Sequence, residues 1–351
     1  MDEALALLEQ HAAIIDFDST TCKNAELLNT LGFVQWHRRQ SLRMDGITDL
    51  PDALATIEKA RSIAEKKCID GQKIHEQTNT LINLALVHLD LGNTAKAENA
   101  LDAIQDSVQL RKFHRQWMLQ ARGEIYLETG RYAEGLNAFK ELENLSAQSV
   151  YPYLKPRSQN GQAHAYAMLG QPEKAHDLWN QVQQSIDAES LLVPIHEGRD
   201  LFLAQNQKSL ALYVSSLIRN DDAASALRVI RRARTQLLRS LQWQERLDSL
   251  NDVERSKWEI ALGTYQRLRQ DLETLKQNKW QVVQNERQSS NAKEKRLKES
   301  VTQAFDRALS TVGYSESESS EKTATLEARH IRLSFFKSTH EWLGFIENEN
   351  T

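Results

Sequence analysis

The sequence predicts an all-α protein, built as a solenoid of repeated helix pairs and followed by a long antiparallel helical hairpin and a short β-hairpin. Three segments along the first half share one pattern, an amphipathic run that ends in a glycine. Apolar residues spaced by threes and fours continue beyond them. Glycine and proline number only 13 and 5 in 351 residues. This shortage favours long helices with short connections over strands that need many tight turns.

The repeat is marked by Gly92, Gly130 and Gly170, which lie 38 and 40 residues apart. Each ends an amphipathic run, and glycine readily adopts the left-handed conformation that closes a helix. A second helix is expected after each glycine, with a small residue that lets the paired helices approach and a large apolar one that fills the space between repeats. These small and large residues are Ala97 and Leu101, Gly135 and Phe139, and Ala175 and Trp179.

This pattern resembles the tetratricopeptide repeat (TPR) family, whose unit is a pair of antiparallel helices of about 34 residues. The resemblance implies a right-handed helical solenoid, which we place at residues 1–241. Less regular copies flank the clear three, at residues 27–60 and 210–233. Residues 2–9 look like the second helix of a repeat, either as a cap or as a sign that the array begins earlier. The segment around Pro194, between 190 and 207, is not assigned.

Partner-binding residues are expected on the concave face, which the first helices of successive repeats line. Helical spacing along those helices selects amides, aromatics and both charges, a mixture that suits an extended peptide. It lacks the repeated Lys and Asn pairs of chaperone-binding TPRs, which argues against a chaperone-tail receptor. The predicted partner-binding residues are Asn29, Phe33, Asn79, Leu86, Trp117, Gln120, Glu124, Arg157, Asn160 and His164.

A helical hairpin is predicted over residues 242–311. Its first helix carries a heptad seam that only Lys279 interrupts. A polar break at residues 288–291 is followed by a second amphipathic helix, and a short polar connection favours antiparallel packing. The seam consists of Trp258, Ala261, Tyr265, Leu268, Leu272, Leu275 and Val282 on the first helix, and of Leu297, Val301, Phe305 and Leu309 on the second.

The end of the chain changes character. Residues 312–325 are acidic and rich in serine, which predicts a flexible linker. Residues 326–351 contain two short runs, 330–336 and 341–346, that are rich in aromatic and β-branched residues and predict a β-hairpin. Because two strands alone are marginal in water, we interpret them as the start of an incomplete sheet.

The order of these parts resembles the amino-terminal half of the CHAT family, caspase-like cysteine proteases preceded by TPRs. The likeness rests on the repeats, the arginine-rich helix 226–241, the helical hairpin, the linker, and the motifs at 333–336 and 342–346. It implies that the sequence stops as the protease domain begins. The chain would then be the recognition or regulatory region of a caspase-like protease system. The alternative is a free-standing TPR adaptor or scaffold unrelated to proteolysis.

No catalytic residues are predicted. In the CHAT family a catalytic His and Cys follow the opening strands, but Cys22 and Cys68 lie in the repeat region, and no Cys follows His330 or His340. A glycine-rich phosphate loop, a His-Glu-x-x-His motif and a Gly-x-Ser-x-Gly motif are also absent from the sequence. We therefore expect no enzymatic activity, no cofactor and no metal.

Charge and cysteine content restrict the partners and the location. A formal net charge of −4 offers no basic face for nucleic acid. Two cysteines are too few for a disulfide framework or a zinc ribbon and fit a reducing compartment. The sequence contains neither a signal peptide nor a membrane span. We predict a cytoplasmic protein whose partner is a protein or extended peptide segment, with a caspase-like protease domain as a further candidate.

Overall fold

The computed structural model describes residues 2–13, 21–42, 49–104, 110–147, 154–190, 206–278, 282, 286–311, 332–337 and 342–347. Within these ranges the chain forms thirteen α-helices and one two-stranded sheet, which confirms the predicted fold class. The chain divides into two compact units, Met1–Val182 and Gln183–Thr351. The domain boundaries proposed from the sequence stay predictions.

The first unit is a stack of paired helices. The first helices of successive pairs also contact each other, α2 with α4, α4 with α6, and α6 with α8. The helices are α1 (Asp2–Ala13), α2 (Cys22–Leu42), α3 (Asp49–Lys67), α4 (Asp70–Asp90), α5 (Thr94–Asp102), α6 (Lys112–Glu128), α7 (Tyr132–Ala147), α8 (Lys155–Met168) and α9 (Pro172–Ser190), the last of which continues into the second unit. The pairs are α2 with α3, α4 with α5, α6 with α7, and α8 with α9.

The three repeat glycines end the first helices as predicted. Gly92, Gly130 and Gly170 have φ angles of +73°, +76° and +71°. In each turn the amide after the glycine donates to a carbonyl five residues back, which is the Schellman arrangement. These bonds run from Asn93 to His88 (2.8 Å), from Arg131 to Tyr126 (2.7 Å) and from Gln171 to Tyr166 (2.9 Å).

Packing between the helices also follows the prediction. The small residues Ala97, Gly135 and Ala175 are buried at the crossings of paired helices. The large apolar residues one turn later are at most 1 % exposed, and they fill the space between neighbouring pairs. These residues are Leu101, Phe139 and Trp179.

The two cysteines form a disulfide, Cys22 to Cys68, which contradicts the expectation of cysteines suited to a reducing compartment. The pairing has a simple cause in the fold. Helices α2 and α3 pack against each other along their lengths, so the first residue of α2 lies beside the residue that follows α3. The 46 residues between the cysteines conceal this proximity in the sequence.

The second unit contains a fifth helix pair, α10 (Gln207–Arg219) and α11 (Ala223–Asp248). The turn between them has Asp221 at φ +59° in place of a glycine. It keeps the same capping bond, from the Asp222 amide to the Leu217 carbonyl at 3.0 Å. Helix α11 runs past residue 241, where the end of the repeats is predicted.

Helices α12 (Asp252–Asn278) and α13 (Arg287–Thr311) form the predicted antiparallel hairpin. Trp258 packs against Ala308, and the Tyr265 ring lies 5.3 Å from the Phe305 ring. One detail of the prediction is wrong, because the polar residues 288–291 lie inside α13 rather than between helices. Their polarity reflects a largely exposed helix surface. Lys279 falls outside the described residues.

The predicted β-hairpin is present as β1 (Arg332–Lys337) and β2 (Trp342–Glu347). The strands are antiparallel, and their register pairs Leu333 with Ile346 and Phe335 with Gly344. The linker predicted at 312–325, the unassigned segment around Pro194, and both His330 and His340 lie outside the described residues.

Candidate functional site

An aromatic cluster occupies the face of the first unit that α2, α4, α6 and α8 form, here called the first-helix face. The Trp117 ring of α6 lies 5.6 Å from Phe33 and 6.0 Å from Trp36, both on α2. These centroid distances are those of favourable edge-to-face pairs. Helix α4 lies between α2 and α6 in the order of first helices, so the rings connect the first helices of two repeats that are not adjacent. The cluster therefore ties three repeats together.

The cluster is buried at its centre and open at one end. Trp117 is 3 % exposed, whereas Phe113, one turn earlier on α6 with its ring 6.5 Å away, is 49 % exposed. The Trp36 indole donates a 2.7 Å hydrogen bond to the Asp90 carboxylate, which fixes its ring. An aromatic surface whose buried rings are fixed and whose outer ring is exposed is suited to packing against another apolar side chain.

Charged groups border this surface. The Arg157 guanidinium of α8 lies 5.8 Å from the Trp117 ring centre, within cation–π range. His37 contacts both Phe33 and Trp36. Burial lowers the pKa of His37, and the nearby Arg157 charge lowers it further, so the neutral imidazole is favoured.

Hydrogen bonds within the array already engage several of the predicted amides. The side-chain amide of Asn83 donates to the side-chain oxygen of Asn29 at 3.0 Å, in a buried bond between α4 and α2. The Gln120 amide donates to the Glu124 carboxylate. The Trp179 indole donates to Asn160 at 2.9 Å. These bonds connect neighbouring helices or brace a single one, so these amides have a structural role.

The structure divides the ten predicted partner-binding residues into two groups. Four are at most 3 % exposed, because the first helices stack closely enough to cover them: Asn29, Leu86, Trp117 and Gln120. Six are half-buried and offer part of their side chains to the surface: Phe33, Asn79, Glu124, Arg157, Asn160 and His164. Partner contact stays a prediction, and the burial restricts it to the second group.

Sequence reasoning missed Phe113, the most exposed ring of the cluster. Phe113 is the second residue of α6, which begins at Lys112, and the residues selected by helical spacing on this helix start only at Trp117. The available signal was the spacing of four between Phe113 and Trp117, which puts both side chains on one side of a helix.

A second cluster lies where α2, α4 and α6 begin. The imidazoles of His75 and His114 are 4.9 Å apart, and His114 is 7 % exposed. Burial lowers the pKa of His114 to about 4, helped by the charges of His75 and Arg111. Burial also raises the pKa of Glu76, with Glu26 adding to the effect. These groups favour their neutral forms and make a proton-sensitive joint between helices.

The residues with described positions contain no group of three His, Cys, Asp or Glu placed to hold a metal ion. Among the helices described, none is both long and apolar enough to cross a membrane.

Comparison with known proteins identifies the repeats. The tetratricopeptide repeat model matches residues 79–103 and 156–181, which cover the second half of α4 with α5, and α8 with the first half of α9. The chain therefore contains tetratricopeptide repeats. None of the curated proteins compared matches it.

Two solved structures resemble the chain. Both are described as a Podosopora anserina putative kinesin light chain with nearly identical TPR-like repeats, one of them a single-substitution variant. The variant is 20 % identical and covers 61 % of this chain and 98 % of its own, with a TM-score of 0.42. The other is 20 % identical and covers 59 % and 95 %, with a TM-score of 0.39.

Proposed function

We propose that this chain is a protein–protein interaction module that binds a segment of a partner protein on its first-helix face and performs no catalysis itself. Tetratricopeptide repeats generally bind proteins or peptides, and the family match supports that class of function. The observation that carries the proposal is the aromatic cluster, whose open end at Phe113 is 49 % exposed.

The residues around the cluster suit recognition. A large apolar side chain of the partner packs against Phe113 and the half-buried Phe33. Arg157 and Glu124, on neighbouring helices, supply one charge of each sign for the polar groups beside that side chain. Because Trp36 and Trp117 are already fixed by their neighbours, little conformational freedom is lost when the partner binds.

Photo-crosslinking tests the proposal. A photoreactive phenylalanine analogue at position 113 of the full chain is expected to crosslink one partner protein in host extract, which mass spectrometry identifies. The same analogue at position 260, on the exposed surface of α12, should not crosslink that protein. Purified partner should then bind the chain, and Phe113→Ala should raise the dissociation constant by about tenfold or more.

Matched variants separate recognition from general damage. Ile260→Ala removes an exposed apolar side chain, 71 % exposed, from the second unit and should leave binding unchanged. Arg228→Glu reverses an exposed charge on α11 and is the control for Arg157→Glu. A partner whose affinity is unaffected by both Phe113→Ala and Arg157→Glu would disprove binding on this face.

A narrower form of the proposal places the module in a caspase-like protease system, with the protease domain as a partner. It rests on the sequence resemblance to the CHAT family alone. Deleting the residues after Thr311 separates this reading from the free-standing adaptor. An adaptor keeps its partner binding after the deletion, whereas a protease regulator loses its control of substrate cleavage.

The cytoplasmic location is also part of the proposal, and the Cys22–Cys68 disulfide puts it to the test. Disulfides are rare in reducing compartments. Trapping thiols with an alkylating reagent in intact cells, followed by mass spectrometry, distinguishes the two states. Alkylated cysteines support a reducing compartment, and a persistent disulfide contradicts it.

A further inference from the structure

The β-hairpin of the second unit has one apolar face open to solvent. Side chains alternate across the two strands, so Leu333, Phe335, Trp342 and Ile346 share a face. They are 59 %, 58 %, 69 % and 69 % exposed. On the opposite face Phe345 is 8 % exposed. Apolar patches of this kind mark interaction surfaces when they are contiguous, and cross-strand pairing makes this one contiguous.

The shape of this face and its one charged residue restrict what can bind to it. The Phe335 ring lies over Gly344, where an added Cβ would be 3.6 Å from the ring. Lys337, paired directly with Trp342, is the one charged residue among the six described residues that share this face. A partner that buries the apolar residues gains a favourable charge contact if it supplies an acidic group at the Trp342 end.

We infer that this face binds an amphipathic α-helix of a partner protein that carries an apolar stripe flanked by acidic residues. The dimensions agree. Strands of six residues are about 20 Å long at ~3.3 Å per residue. A helix of about 13 residues has the same length, and its diameter of about 10 Å matches a ribbon two strands wide. A helix packed on a sheet face is also a common way to bury such a surface.

Two other occupants fit less well. A second copy of the chain, stacked face to face, offers no acidic group on the matching face, so Lys337 meets either another Lys337 or apolar residues. Strand addition along β1 is restricted, because Arg234 of α11 already donates to the Phe335 carbonyl.

Peptide binding to the full chain tests the inference. The probe is a fluorescein-labelled 14-residue peptide with a leucine stripe at helical spacing and glutamates on its flanks. One comparison peptide has lysines in place of the glutamates, and another has alanines in place of the leucines. Anisotropy should show the glutamate peptide binding about tenfold or more tightly than either comparison peptide.

Variants then locate the site. Trp342→Ala and Leu333→Asp should each weaken binding of the glutamate peptide by about tenfold, whereas Ile260→Ala should leave binding unchanged. Lys337→Glu should reverse the preference toward the lysine peptide, and this reversal requires a folded hairpin. Failure of the glutamate peptide to bind overturns the inference. The inference is also overturned if the chain forms a dimer, or binds anionic lipid vesicles, and Leu333→Asp abolishes that association. Either result assigns the face to another occupant.

Discussion

The phenyl ring of Phe139 lies directly against Gly161, so that a β-carbon added at Gly161 would be 2.5 Å from the ring. The same ring also lies against Gly123, where an added β-carbon would be 2.6 Å away. Phe139 on α7 is thus held between α6 and α8, and it is 1 % exposed. The spacing of two successive repeats depends on the absence of side chains at these two positions.

Gly161→Ala is therefore expected to destabilise the first unit by about 1–3 kcal/mol, the usual effect of overpacking a close-packed core. Gly263→Ala is the matched control, since an added β-carbon there meets no heavy atom within 4 Å. Because alanine is the better helix former, that control should gain roughly 0.5–1 kcal/mol. Urea unfolding followed by circular dichroism measures both. Equal and small effects would mean that Phe139 moves aside easily.

The helix-ending turns predict a second pair of changes. Gly130→Ala forces a β-carbon into the left-handed region at φ +76° and should cost about 1–2 kcal/mol. Asp221 occupies the equivalent position of the fourth turn at φ +59°, so Asp221→Gly relieves the same strain and should stabilise by up to about 1 kcal/mol. Thermal unfolding compares the two variants. A gain from Gly130→Ala, or a loss from Asp221→Gly, would contradict the shared turn geometry.

Asp221 also shows how far a sequence pattern reaches. Glycine spacing identifies three of the four described turns of this kind, because glycine is the residue that adopts a positive φ most easily. In the fourth turn, aspartate tolerates the same conformation, so only the amphipathic runs on either side indicate the pair. The heptad seam and the hairpin strands were predictable for the same reason, since burial imposes a period on the sequence.

The site was less predictable than the fold. Helical spacing selected Trp117 and Gln120 for the first-helix face, but spacing does not say how closely the neighbouring helices cover them. Phe113 was missed because the residues selected on α6 start at Trp117, whereas the helix begins at Lys112. Proximity between distant segments, as in the Cys22–Cys68 disulfide, depends on how helices pair and leaves no local signal.

The disulfide predicts a dependence on reductant. It closes a loop across 46 residues, which in the chain-entropy description corresponds to about 4 kcal/mol of stabilisation. Adding dithiothreitol should lower the stability of the first unit by an amount of this order in urea unfolding. A variant carrying both Cys22→Ser and Cys68→Ser should be equally destabilised and insensitive to the reductant. Unchanged stability of the wild type under reducing conditions would exclude the crosslink.

The joint around His114 predicts how stability depends on pH. Its pKa of about 4 in the folded chain lies below the unfolded value of 6.5, so the unfolded chain binds more protons between these values. Stability should therefore fall as the pH falls from about 6.5 to about 4, by roughly 2 kcal/mol for this residue. His75 has a lowered pKa for the same main reason, burial, and acts in the same direction.

Glu76 opposes this trend and must be separated from it. Burial raises the pKa of the Glu76 carboxyl above 4.5, so its protonation in the folded chain favours folding as the pH falls through that raised value. The other groups that face the joint are Glu26 of α2 and Arg111 before α6. The variant His114→Gln should reduce the slope of unfolding free energy between pH 6.5 and 4. If His114→Gln retains the full slope, the imidazole pair at 4.9 Å does not control the acid response.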